Sequence, residues 1–194
     1  MSSPDAGTMA PHMIHAPAQA LAFVRGHGIV TMTASARPSL VEAIVGGPVK
    51  GSWWGHEKGR LIFKLAESLH DSKDVISLKL VDGKVTFLHR SLWPALARVV
   101  TDVDWRRSAG FRLSPDAGQL LRAVQNRGTL RLDQAGLKGR KELESTLLVH
   151  SGSMHTEKGS HTTVLTSWRK VFDAATLARA RKLSLDEARG LLGL

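Results

Sequence analysis

Cysteine and tyrosine are both absent from the 194 residues of this chain. Without cysteine there can be no disulfide framework, iron–sulfur cluster, thiolate zinc site or cysteine nucleophile. The same absence suits a reducing cytoplasm, and a cytoplasmic protein is the expectation. No apolar run approaches the roughly 20 residues that cross a bilayer, so no membrane partner is expected. Residues 1–16 have neither a basic head nor a continuous apolar stretch, and they read as a flexible leader rather than a signal peptide. Walker, HExxH and Gly-x-Ser-x-Gly signatures are missing too, so no cofactor is indicated and no catalytic residue can be assigned. His155-x-Glu157 with His161 could gather two imidazoles and a carboxylate, but without a zinc-type spacing no metal site is expected there.

Acidic side chains are also scarce, 17 against 27 Lys plus Arg, which leaves a net charge of +10. Three partner classes follow: nucleic acid, anionic lipid or an acidic protein. Lipid fits least, because the basic residues do not sit opposite a long apolar helical face. Residues 1–104 carry 11 basic and 9 acidic groups, whereas residues 105–194 carry 16 and 8. The excess is concentrated in the second half, as a nucleic-acid footprint requires.

Hydrophobic periodicity predicts an α+β chain. A helix from Pro17 to Gly26 is followed by a strand at Gly28–Thr33, a short helix at Pro38–Val45 and an amphipathic helix at Lys58–His70. Val75–Val81 and Lys84–His89 flank Asp82-Gly83, a pair suited to a two-residue type I′ hairpin turn. Ser91–Val100 reads as a helix and Asp102–Arg107 as a linker. Ser114 before Pro115 caps the next helix, and Thr129–Leu132 is a short strand. A helix at Arg140–Leu148 precedes strands at Val149–His155 and His161–Thr166. Asp173 and the Ser184/Glu187 capping box open two C-terminal helices. Four segments result: the leader 1–16, an α+β unit 17–104, a unit 105–172 and a helical extension 173–194.

Helix, short strand, turn, helix and charged hairpin is the order of a winged helix-turn-helix, and it is expected over residues 105–172. In that architecture the second helix of the helix-turn-helix enters the major groove. Here it opens on Lys138, Arg140 and Lys141, although cations at a helix N-terminus oppose the macrodipole. The hairpin carries His155, Lys158 and His161, while Arg131, Arg169 and Lys170 are expected to flank the site on phosphates. DNA is therefore the expected partner, bound mainly through its backbone or structure, since no Asn or Gln lies in that helix to pair with adenine. The first half carries a looser version of the same order, which leaves tandem winged-helix units open, although no residue-level repeat is visible.

Three segments, Ala18–Arg25, Pro38–Glu42 and Val85–Pro94, resemble the tandem winged-helix proteins related to the AlkZ/YcaQ DNA glycosylases, with Ser114–Trp168 matching their C-terminal winged helix. The resemblance implies DNA binding, and excision of alkylated or crosslinked bases. The Gln-x-Gln motif of those glycosylases has no counterpart, because Gln19, Gln119, Gln125 and Gln134 each stand alone. Trp53 and Trp54, with His56, Lys58 and Arg60 nearby, are the candidates for stacking a base while cations hold phosphates. If the two tryptophans lay in a strand they would face opposite ways. A repair enzyme working through these residues and a carboxylate near Glu57, and a module docking an acidic protein, are the alternatives to a passive DNA binder.

Overall fold

Proline and glycine punctuate both halves of the chain at matching places. In the computed structural model, which describes residues 13–108, 113–132, 138–155 and 161–194, helix α1 (Pro17–His27) begins on a proline and stops at Gly28, at φ +72°. Helix α6 (Pro115–Arg127) begins on a proline and stops at Gly128, at φ +75°. Each glycine amide closes its helix on a valine carbonyl four residues back, Val24 at 2.8 Å and Val124 at 2.7 Å. A left-handed residue at that place is what a helix C-terminus favours. Each helix then releases a three-residue strand, β1 (Ile29–Thr31) and β4 (Thr129–Arg131).

The first half continues with α2 (Leu40–Val45), α3 (Gly59–His70) and the hairpin β2 (Val75–Val81) and β3 (Lys84–His89), giving an antiparallel sheet of order β1-β3-β2. Its turn residues Asp82 and Gly83 lie at φ 51° and 68°, the primed geometry expected of the pair. The second half continues with α7 (Arg140–Ser145) and the hairpin β5 (His150–His155) and β6 (His161–Thr166), in the order β4-β6-β5. The protein is thus α+β, and its two halves share one strand order, with α2 and α3 between the short strand and the hairpin in the first half and α7 in that place among the described residues of the second. Within the repeated strand order the residues in common are punctuation: Pro17 and Pro115 open the first helix of each half, and Gly28 and Gly128 close it.

Other expectations change as well. Asp102–Arg107 is not a linker, because Val103–Ser108 forms helix α5, whose Trp105 amide donates to the Asp102 carboxylate at 2.8 Å. Helix α7 stops at Ser145 rather than Leu148, since Leu147 adopts φ +54° to bury its side chain in the core shared by the two halves. The leader does not extend to residue 16: Ile14 is buried and its amide donates to the Ala43 carbonyl at 3.1 Å. Residues 1–12 lie outside the described residues.

Helix α4 (Trp93–Thr101) organises the centre. Pro94–Ala97, Val99 and Val100 are all buried, as in a helix surrounded on every side. After the one-turn α8 (Trp168–Val171), the C-terminal helices α9 (Ala174–Ala180) and α10 (Leu185–Leu192) return to pack on α4. They belong to the core of the first half and do not extend the second. Arg98 fixes the return, donating to the Leu183 carbonyl at 3.0 Å while pairing with Asp102. The same core takes Leu147, Trp168 and Phe172 from the second half, so both halves build this cluster while each keeps a core of its own.

Gly139, at φ +78° before α7, shows how closely the second half is packed. A Cβ there would lie 2.5 Å from the Ala117 Cα, against backbone that cannot swing aside. Gly139→Ala combines left-handed strain, about 1–2 kcal/mol, with overpacking of about 1–3 kcal/mol. A loss of about 2–5 kcal/mol in urea unfolding is expected, and a change within about 0.5 kcal/mol would show that α6 and α7 do not approach this closely.

Candidate nucleic-acid interface

The cations at the start of α7 have different fates. Lys138 and Lys141 are exposed and make no ion pair among the described residues. Arg140 is turned inward, donating to the Thr163 hydroxyl on β6 at 3.0 Å and approaching the Glu144 carboxylate at 3.4 Å. Glu144 is only 7% exposed and takes Lys79 of β2 on its other oxygen at 3.0 Å. A buried carboxylate held by two cations ties α7 to its own hairpin and to the first half. Glu142 ties α7 to α6, accepting the Ser114 amide at 2.8 Å and its hydroxyl at 2.6 Å. Arg140, expected on DNA, is therefore committed to holding the helix in place.

The hairpin strands pair from His150↔Thr166 out to His155↔His161. The side chains of His155 and His161, and Lys158 in the turn, lie outside the described residues. Arg131 is half-buried on β4 opposite Val164 and is not free of partners. Arg169 and Lys170 are exposed on α8, beyond the base of β6, and Lys170 donates to the Arg127 carbonyl at 3.4 Å. Six strand residues at about 3.3 Å each put them roughly 20 Å from the outer end of β6. The fold thus places Lys138 and Lys141 in the hairpin's own half but keeps Arg169 and Lys170 at the inner end of β6.

The tryptophan pair lies in the first half. Trp53–Gly55 is a single 3₁₀ turn capped by the Ser52 hydroxyl, not a strand, and its geometry lets the two indoles stack at 4.0 Å and 24°. Trp54 is 65% exposed and lies 5.8 Å from Phe63, itself 45% exposed. The neighbouring Lys58 is turned away. Lys58 donates to the Ile44 and Val45 carbonyls at the end of α2, and the His56 Nδ1 accepts the Lys58 amide at 3.0 Å.

These aromatics stand at the mouth of a cleft of about 650 Å³ between the halves, walled by α3 on one side and His150–Ser153 of β5 on the other. Phe63, Ala66, Glu67 and His70 reach it from α3 at i, i+3, i+4 and i+7, one stripe of that helix. The amphipathic helix expected over Lys58–His70 rests on Leu61, Ile62, Leu65 and Leu69, of which the last three are buried, and this second stripe was not part of that expectation. Its signal, a mixed aromatic and titratable face at helical spacing, was legible. The β5 wall left no such trace.

Two histidines meet at this cleft. Burial, the first cause, pushes His150 below its ordinary range, and the nearby His70 adds to the effect, while a hydrogen bond with the Ser77 main chain opposes it. His70 moves down as well, again chiefly through desolvation, against the pull of Asp71 and Glu67. A histidine with a depressed folded pKa takes up its proton more readily when unfolded, so stability falls as pH drops below about 6.5. Urea midpoints should therefore fall between pH 7 and pH 5, and His150→Gln should flatten that fall. An equal slope in the variant would place the titration elsewhere.

No family model matches the chain, and no curated protein or solved structure in the comparisons matches it either.

Proposed function

We propose that the chain is a DNA-binding protein made of two winged-helix units in tandem, with the second unit holding the backbone through α7 and its hairpin. The repeated succession of helix, strand, helix and hairpin, with the same strand order twice, supports the architecture. The observation that carries the function is the division of labour at the start of α7. Arg140 is bound to Glu144 and Thr163, whereas Lys138 and Lys141 stand exposed on the turn that a recognition helix presents to the groove. Lysines at a helix N-terminus with no ion pair among the described residues are unfavourable until an anion arrives. With Lys158 in the hairpin turn they make three phosphate-contacting cations, which give affinity without reading sequence.

The resemblance to AlkZ/YcaQ-related proteins supports the same reading of the tandem units. Fluorescence anisotropy of a labelled duplex over a salt series tests it. For three phosphate contacts log K should fall with log salt at a slope of about −2.7 or steeper. No binding at low salt, or a flat salt dependence, would overturn the proposal and leave the basic surface to an acidic protein partner.

A further inference from the structure

Lysine and arginine are absent from the described lining of the cleft between the halves, although the chain as a whole carries a charge of +10. The titratable groups that line it are two carboxylates, Glu67 and Asp71, and two imidazoles, His70 and His150. Such a cavity selects against phosphate and in favour of neutral groups or amino donors. Its mouth is the Trp53–Trp54 stack with Phe63 beside it, and the outer indole leaves a π face in water. Deeper in, the Ser77 hydroxyl is buried without a hydrogen-bond partner, a cost that a bound polar group would remove. An apolar cavity with a few convergent polar groups and perturbed histidines has the make-up of a ligand site.

We propose that this cleft binds an uncharged planar heteroaromatic ring bearing amino groups, a nucleobase or a molecule of the same chemistry, stacked on Trp54 with its polar edge toward Ser77, Glu67 and Asp71. The ring enters without its phosphate, which stays outside the acid-lined wall. Two sources supply this chemistry: a free nucleoside, or a base unstacked from a nucleic acid held by the neighbouring hairpin, whose strand β5 forms one wall of the cleft. Binding of the free ring does not depend on the DNA-binding proposal.

The probe is 2-aminopurine, whose emission is quenched on stacking, presented to the full chain as the riboside, in a single-base bulge of a duplex, and paired in a matched duplex. Saturable quenching of the riboside at high salt, weakened about tenfold or more by Trp54→Ala, is the result expected if free nucleosides are the source. Quenching confined to the bulge, exceeding that of the matched duplex and lost in Trp54→Ala, would assign the site to an unstacked base. No quenching in any arm would overturn the proposal, as would quenching that Trp54→Ala leaves unchanged. Trp54 is mostly in water, so its replacement leaves the fold intact, and Ser77→Ala gives a second variant that should weaken the same arm. If duplex binding itself fails while the riboside binds, only the DNA reading falls.

Discussion

Replacing Lys138, Lys141 and Lys158 together with alanine should weaken duplex binding about 500-fold at 0.1 M salt. Each phosphate contact contributes about 0.9 to the slope of log K against log salt, so between 1 M and 0.1 M each is worth about eightfold. The slope itself should fall by about 2.7. The structure sharpens the choice of residues. Arg140 holds Glu144 and Thr163, so its loss would leave the buried carboxylate with Lys79 alone and confuse a folding defect with a lost contact. Arg169 and Lys170 serve as the comparison. They lie roughly 20 Å from the outer end of β6 by strand length, about two Debye lengths at 0.1 M, and their joint replacement should change affinity less than about threefold. A triple variant that keeps the full salt slope would sink the assignment of α7 and the hairpin.

How far the sequence carried this picture depends on the range of the forces involved. Local signals were legible. Asp82-Gly83 fixed a hairpin, Ser114 with Pro115 opened α6, and Asp173 and Ser184 capped α9 and α10 as expected, the last with a reciprocal Glu187 bond at 2.8 Å. Each rests on contacts within four residues. What stayed hidden depends on partners far along the chain. Leu147 leaves the helical region because its side chain is buried in a core contributed largely by residues 76–100. Arg140 reads as a surface cation until Thr163 and Glu144 are placed around it. The looser element order of the first half was legible, but no residue-level repeat was, because the residues in common are punctuation, Pro17 and Pro115, Gly28 and Gly128. The first half also inserts the tryptophan turn between α2 and α3, which breaks any fixed period. For the candidate site, the two lysines were legible from charge. The cleft was not, since its walls come from α3 and β5, some 80 residues apart.

Trp168 is where these long-range contacts converge, and Trp168→Ala should be the most destabilising single substitution considered. The side chain is 4% exposed, packed parallel to Phe172 at 5.6 Å and against His150 at 5.4 Å. Its indole N–H donates to the Leu147 carbonyl at 2.7 Å, beside the left-handed residue that ends α7. Deleting such a ring costs about 3–5 kcal/mol, and an orphaned carbonyl adds about 1–3 kcal/mol where water cannot reach it. At about 2–4 °C per kcal/mol for a chain of this size, Tm should fall by at least about 8 °C. Trp168→Phe keeps most of the packing and loses the donor, so it should recover the larger part of that loss. The consequence reaches the cleft, because Trp168 backs His150 in the β5 wall: Trp168→Ala should weaken 2-aminopurine riboside binding together with stability. Trp54→Ala should weaken the same binding while leaving Tm within about 2 °C, as expected of an exposed side chain. A Trp168→Ala protein that melts with the parent would mean that the two halves do not share the core that Trp168, Leu147 and Leu96 form.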